Sequence, residues 1–176
     1  MISDGTLTKQ TFLFGCNNSH AAETSTELVG NKGAGLQIMS GLGLAVPPGF
    51  TISSKVCACY YDNDKTLPAE LLEQIKLNLS IMSDQLGDKF GDEAKPLILS
   101  VRSGSAVSMP GMMDTILNIG LNDEIVAKIS QSADKARFIL DCYRRLIQMF
   151  SSVVFKITKP LHRLRLLFQA TSSLLW

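Results

Sequence analysis

The chain has 176 residues, of which 45% are hydrophobic and 19% are charged, a size and composition typical of a globular protein with its own core. The formal net charge is +1, which excludes the strong positive field of general nucleic-acid-binding proteins. No apolar run approaches the roughly 20 residues needed to cross a bilayer, and no signal peptide is evident. We therefore expect a cytoplasmic protein that binds neither nucleic acid nor membrane.

The four cysteines are Cys16, Cys57, Cys59 and Cys142. They form no C-x-x-C pair, and the spacing of Cys57 and Cys59 does not suit a zinc knuckle. We expect reduced thiols in the core of an intracellular protein and no metal site built from them.

The first third of the chain predicts a strand, a helix and a second strand. "TFLFG" at residues 11–15 mixes aromatic and aliphatic residues and stops at a glycine. Residues 34–39 are good helix formers, and Gly41 and Gly43 offer places for that helix to end. "VPPGF" predicts a turn, after which "FTIS" predicts a strand.

A second helix is predicted over residues 68–87, opened by a proline and closed by a glycine. Its apolar residues recur at steps of three and four: Leu71, Leu72, Ile75, Leu79, Met82 and Leu86. The apolar run "PLILSV" predicts a buried strand, and "TILNIGL" at residues 115–121 predicts another. These two strands would pair as a hairpin around a long loop.

A long core helix is predicted over residues 134–155. One face carries Phe138, Cys142, Leu146, Met149 and Val153, with Ile139, Tyr143, Ile147 and Phe150 beside it. Arg144 and Arg145 are expected on its solvated side rather than at a ligand.

The last residues, 158–176, are basic and apolar without an acidic residue, and Pro160 interrupts any continuing helix. Such a tail suits contact with a membrane or a partner, and equally suits half of a core whose other half is elsewhere.

Two segments have residues suited to binding an anion. In "GNKGAGL", residues 30–36, glycines flank Lys32 before the predicted helix, as in a phosphate cradle. The spacing is neither that of a Walker A loop nor that of a dinucleotide fingerprint. On the segment alone, a glycine-rich turn beside a surface lysine is the stronger interpretation.

The second segment begins at Arg102, where the apolar run ends and "SGSAVSMPGMM" follows. An arginine beside serines can grip phosphate oxygens, and methionines suit packing against a nucleobase. A solvated strand end, with methionines that cover the core, explains the same residues.

Three stretches resemble a known family. "LVGNKGAGLQIMSGLGLAVPPGFTIS", "PLILSVRSGSAVSMPGMMDTILNIGLND" and "CYRRLIQMFSSVV" resemble the N-terminal ATP-grasp region of pyruvate, phosphate dikinase. The resemblance implies an α+β fold in which a small mixed sheet is flanked by helices. It also implies that the glycine-rich turn around Lys32, residues 30–36, and the methionine-containing loop, residues 103–113, lie on the same side of the sheet.

The resemblance further implies site residues. Lys32 and Arg102 match family positions that hold ATP phosphate oxygens, and Arg102 also steadies charge during phosphoryl transfer. Gly111 and Thr115 match positions of a loop that closes over the nucleotide.

The resemblance covers part of the family's pattern. We expect a partial ATP-grasp domain over residues 1–157 and an unmatched tail over residues 158–176. The family converts ATP, pyruvate and phosphate to AMP, phosphoenolpyruvate and diphosphate through a phosphohistidine on a domain that we do not find here. Its magnesium ligands likewise match no residues of this chain. We therefore expect a truncated fragment, inactive alone, with ATP and the missing dikinase domains as partners. The alternative is a non-catalytic nucleotide-binding or interaction module that pairs with a separately encoded remainder.

Overall fold

The computed structural model describes residues 9–16, 25–104 and 114–157. Within them the elements run in the order β1 (Thr11–Phe14), α1 (Thr26–Gly41), β2 (Gly49–Ile52), α2 (Ser54–Asp62), α3 (Ala69–Leu86), β3 (Leu99–Arg102), β4 (Thr115–Ile119), α4 (Asp123–Ile129) and α5 (Ala133–Val153). These residues form two compact units. The first contains the described residues up to Phe90 with Ser103 and Gly104, and the second contains Gly91–Arg102 and residues 114–157. The mixture of helices and small sheets confirms the α+β class.

The first unit is built on an antiparallel pair, β1 and β2, in which Thr11 lies opposite Ile52 and Phe14 opposite Gly49. Helices α1 and α3 both contact this pair. Gln74 of α3 ties the layers together, because its Oε1 accepts hydrogen bonds from Gln10 N at 2.9 Å and Thr11 Oγ1 at 3.2 Å.

The prediction for α3 is confirmed to within one residue at each end. Pro68 precedes its first turn, and Gly87 ends it in the left-handed conformation with φ 74°. Leu71 and Met82 are buried as expected, whereas Leu72 is 44% exposed.

The second unit begins with the predicted hairpin, since β3 and β4 pair antiparallel. The prediction that β3 is buried is wrong. Leu97, just before the strand, is buried, but Val101 is 51% exposed. The apolar run therefore enters the core at its start and leaves it before Arg102.

The core of the second unit lies where α4 and α5 meet. Ile125 is fully enclosed and packs with Leu121, Val126 and Ile139, against which Cys142, Tyr143 and Leu146 are partly buried. The predicted helix is confirmed, but its buried face is centred on Ile139 rather than on Phe138, which is 70% exposed.

Two short helices were not predicted from the sequence. The Oγ of Ser53 caps α2 by accepting from Lys55 N, and Asn122 Oδ1 caps α4 by accepting from Ile125 N at 2.8 Å. Both caps are the usual signals of a helix start. The helices that follow are too short for a clear apolar period.

Two further expectations need correction. Within the described residues, the strands form two separate two-stranded antiparallel sheets rather than one mixed sheet. Cys16 is buried, but Cys57 and Cys59 are exposed on α2, so only part of the cysteine set lies in a core.

No helix of the described residues is both long enough and apolar enough to span a bilayer.

Candidate functional site

Lys32 lies just after an interruption in α1. Gly30 has φ 70° and ψ 169°, values outside the helical region, and the helix continues beyond it. Lys32 is exposed and makes no hydrogen bond or ion pair with a described residue. A helix start supplies partial positive charge from its N–H groups, so this place suits a cation that faces an anion.

The glycines around Lys32 differ in what they do. The sequence predicted a glycine-rich turn before the helix, but Gly33 and Gly35 lie inside α1. A Cβ at Gly33 would lie 2.9 Å from Val29 Cβ and 3.0 Å from Thr51 Oγ1, whereas one at Gly35 would meet nothing within 4 Å. Gly33 therefore lets α1 pack closely on β2, and Gly30 alone provides the break.

Arg102 and Thr115 are brought together by the β3–β4 hairpin. Their Cα atoms are paired across the two strands. Directly opposite residues of an antiparallel pair lie on one face with Cβ atoms about 4.5–5.5 Å apart. The guanidinium and the hydroxyl are thus placed on the same side of the hairpin, as a joint phosphate contact requires.

A bulge in β4 produces this pairing. From Leu99 to Val101 β3 advances two residues, while β4 advances three, from Ile119 to Ile116. Asn118, inside the longer segment, has φ 63°, and its Nδ2 donates to the backbone oxygen of Cys142 at 2.9 Å. Such an extra residue shifts the pairing by one position.

The side chain of Arg102 is exposed and has no hydrogen bond or ion pair with a described residue. The arginines of α5 contrast with it. Arg144 and Arg145 bind opposite oxygens of Asp141, each at 2.7 Å. The hydrogen bond from Arg144 is the largest effect on the Asp141 carboxyl and lowers its pKa; partial burial opposes this effect, and the hydrogen bond from Arg145 adds to it. As expected, Arg144 and Arg145 belong to the surface of α5, where both pair with Asp141, and they differ in this from Arg102.

The remaining site predictions lie outside the described residues or in the other unit. Gly111 and the methionines of its loop belong to residues 105–113, which the structure does not describe. Lys32 belongs to the first unit, and Arg102 and Thr115 to the second. The role of Asn118 is not predicted from the sequence, although an asparagine in an alternating strand is a signal for a residue with positive φ.

No group of three or more His, Cys, Asp or Glu side chains among the described residues is placed to hold a metal ion.

Comparison with known proteins gives the family. A family model described as pyruvate phosphate dikinase, AMP/ATP-binding domain, matches residues 63–149, which include Arg102 and Thr115. The chain is 47% identical over 156 residues to the chloroplastic pyruvate, phosphate dikinase of Flaveria trinervia, a match that covers 89% of this chain and 16% of that protein. The same shares and identity hold for the chloroplastic pyruvate, phosphate dikinase 1 of Zea mays.

A bacterial relative matches as well. The pyruvate, phosphate dikinase of Rickettsia bellii is 42% identical over 153 residues, which are 87% of this chain and 17% of that protein. The chain thus spans about one sixth of the length of the curated relatives that it matches. On this sequence identity and the matched nucleotide-binding model, the chain belongs to the pyruvate, phosphate dikinase family.

Proposed function

We propose that the chain supplies part of the ATP site of a pyruvate, phosphate dikinase, with Lys32, Arg102, Gly111 and Thr115 in contact with the phosphates. The observation that carries this proposal is the pairing of Arg102 with Thr115 on the β3–β4 hairpin. Arg102 has no counter-ion among the described residues, and both positions fall within the match to the AMP/ATP-binding domain.

The roles follow from the side chains. The guanidinium of Arg102 presents a planar fork of donors that fits two phosphate oxygens, and the Thr115 hydroxyl can donate to a third. Lys32 adds a mobile point charge from the start of a helix. Phosphoryl transfer depends mainly on positive charge and donors placed in advance, so these residues position ATP and stabilise charge without forming a covalent bond.

We further propose that the nucleotide domain has the ATP-grasp architecture. The broken helix α1 with Lys32 and the hairpin with Arg102 support it, because each supplies a cation beside a glycine-containing segment. A cytoplasmic location is part of the same proposal. The Flaveria and Zea relatives are described as chloroplastic.

The complete reaction would convert ATP, pyruvate and phosphate to AMP, phosphoenolpyruvate and diphosphate. We assign only the ATP contacts to this chain, because the matched segment is 16% of the Flaveria relative. Magnesium would accompany ATP in the family's reaction, and no group of three or more His, Cys, Asp or Glu side chains among the described residues is placed to hold it. The pyruvate site and the phosphohistidine are proposed to lie in other dikinase domains, which act as partners of this segment.

Calorimetric titration with ATP tests the proposal. Arg102→Gln should weaken ATP binding roughly 10- to 150-fold, the loss expected for a hydrogen bond to a charged group. Arg137→Gln is the matched control, because Arg137 is also exposed and has no ion pair with a described residue. Equal ATP affinities for the Arg102 and Arg137 variants would show that Arg102 is a solvated strand end.

The same titration with adenosine separates phosphate recognition from base recognition. Adenosine should bind the unchanged chain and the Arg102→Gln variant with equal affinity, since it has no phosphate for Arg102 to contact. Lys32→Gln should weaken ATP binding, whereas Lys76→Gln should not, because Lys76 lies on the exposed surface of α3 and pairs with Glu73.

A further inference from the structure

A crevice in the first unit lies between β1 and α3. Thr11 and Leu13, which alternate along one face of β1, form one wall, and Gln74, Leu77, Asn78 and Ile81, which share one face of α3, form the other. Lys9, just before β1, also lines the crevice. The volume of the crevice is about 320 Å³, and its accessible lining is almost entirely apolar. None of its lining residues belongs to β2, so the crevice lies on the β1 side of this two-stranded sheet.

The crevice contains one unmet polar group. Asn78 is only 5% exposed, and its Nδ2 has no hydrogen-bond partner. A buried donor without an acceptor is unfavourable, and native structures satisfy most such groups. The Nδ2 of Asn78 is therefore a donor without an acceptor among the described residues, and an acceptor oxygen placed beside it would satisfy it.

The edge of β1 beside the crevice is also unpaired within the described residues. Ser53 N donates to Gln10 O at 2.8 Å, which makes this pair a hydrogen-bonded one. Because hydrogen-bonded and non-hydrogen-bonded pairs alternate, the N–H and C=O groups of Thr11 and Leu13 point away from β2. The backbone groups free to pair thus belong to the same two residues whose side chains line the crevice.

We propose that this edge and crevice receive an extended strand from the part of the dikinase polypeptide that lies outside the matched residues. A strand paired with β1 would place alternate side chains beside Thr11 and Leu13, where an apolar one fills the crevice. An acceptor oxygen on that strand would satisfy Asn78 Nδ2. The length of the relatives supports this source, because the 156 matched residues are 16% of the Flaveria protein. The inference uses the family membership and none of the proposed ATP contacts.

Binding of defined peptides tests the inference. The probes are overlapping synthetic peptides that cover the Flaveria trinervia dikinase outside the matched segment, measured by fluorescence polarisation with the full chain. At least one is expected to bind. In amide exchange followed by NMR, that peptide should slow exchange at Thr11 and Leu13 and leave Phe12 unchanged, because the amide of Phe12 already faces β2. No bound peptide, or no selective slowing, would overturn the proposal.

Variants show whether binding uses the crevice. Asn78→Leu should weaken peptide binding at least tenfold without lowering Tm, since the substitution removes an unmet donor and keeps a similar side-chain volume. If Asn78 had a purely structural role, the same substitution would lower Tm and leave the peptide affinity unchanged. Leu77→Gln should weaken binding, whereas Leu72→Gln should not, although both leucines are exposed on α3 and only Leu77 lines the crevice.

Other occupants have distinct outcomes. Tightest binding by a peptide of residues 1–8 would assign the crevice to the chain's own N-terminal segment. Self-association that Asn78→Leu abolishes would assign it to a second copy, and either result would overturn the proposed source. ATP affinity measured on the same variants should stay unchanged, so failure of the strand proposal and failure of the ATP proposal are separable.

Discussion

Arg102 lies directly opposite Thr115 because β4 contains one more residue than β3 between the paired positions. Continuing the Leu99–Ile119 pairing without that extra residue would place Arg102 opposite Ile116, whose side chain is buried and apolar. The bulge thus decides whether the arginine faces a hydroxyl or a core residue. The hydrogen bond from Asn118 to the backbone of α5 stabilises the bulge.

Replacement of Asn118 should separate the contribution of its side-chain hydrogen bond from that of its positive φ. Asn118→Ala loses the hydrogen bond to Cys142 O and strains a residue with φ 63°, so it should lower the free energy of unfolding by about 1–3 kcal/mol. Asn118→Gly loses the hydrogen bond alone and should lower it less. Urea denaturation measures both values. If glycine proved as costly as alanine, backbone strain would have no part in the bulge.

Gly33 and Gly35 provide a matched pair on one helix. Gly33→Ala should destabilise the chain by about 1–3 kcal/mol, because its Cβ would crowd Val29 and Thr51. Gly35→Ala should stabilise it by about 0.5–1 kcal/mol, because the position is open and alanine favours the helix. Thermal unfolding of the two variants checks the signs. Equal shifts would contradict the close packing of α1 on β2.

Ile125 should dominate the stability of the second unit. It is fully enclosed, so Ile125→Ala should cost about 2–5 kcal/mol, and Ile125→Val about 0.5–1.5 kcal/mol. Phe138→Ala is the control, with an expected change of at most about 0.5 kcal/mol, because Phe138 is 70% exposed. Denaturant unfolding that ranked Phe138 above Ile125 would place the core on the face originally predicted for α5.

The ionised carboxylate of Asp141 should add an increment to the free energy of unfolding, and this increment should be lost at low pH. Its pKa is lowered in the folded chain by Arg144 first and Arg145 second, so the folded state binds this proton less readily than the unfolded state. The increment is complete above the ordinary carboxyl pKa of about 3.9 and is lost as the pH falls through the lowered value. The contribution should be small, since the Asp141 side chain is 42% exposed and its ion pairs are screened by solvent.

Asp141→Asn isolates this increment. The difference in unfolding free energy between the unchanged chain and the variant should shrink as the pH is lowered below about 4. A difference that stayed constant through that range would mean that the two arginines do not hold Asp141 ionised in the folded chain.

How much the sequence could predict depends on how local each signal was. Helix α3 was predicted closely because its apolar period, Pro68 and Gly87 all agree. The burial of β3 was predicted wrongly because a short apolar run has the same sequence pattern whether one face of the strand or both faces are covered by other elements. That difference depends on which elements pack against the strand, and these are distant in the sequence.

The candidate site divides in the same way. Residue types and the family resemblance predict Lys32 and Arg102, the resemblance alone predicts Thr115, and the roles of all three in binding ATP stay predictions. The sequence did not indicate that Arg102 would face Thr115, because the register depends on a one-residue bulge held by α5. The sequence also did not indicate that Gly30 interrupts α1 while Gly33 packs against β2, since the packing of Gly33 involves Thr51, 18 positions later.

The contact at Gly33 bears on how the family should be compared across species. A relative that no longer used ATP would still be under selection to keep glycine there, because any larger side chain would force α1 away from β2. Lys32 is exposed and has no such packing reason to persist. Under the ATP contact proposed for Lys32, retention of the lysine across species would indicate nucleotide use, whereas retention of Gly33 indicates only that α1 still packs on β2.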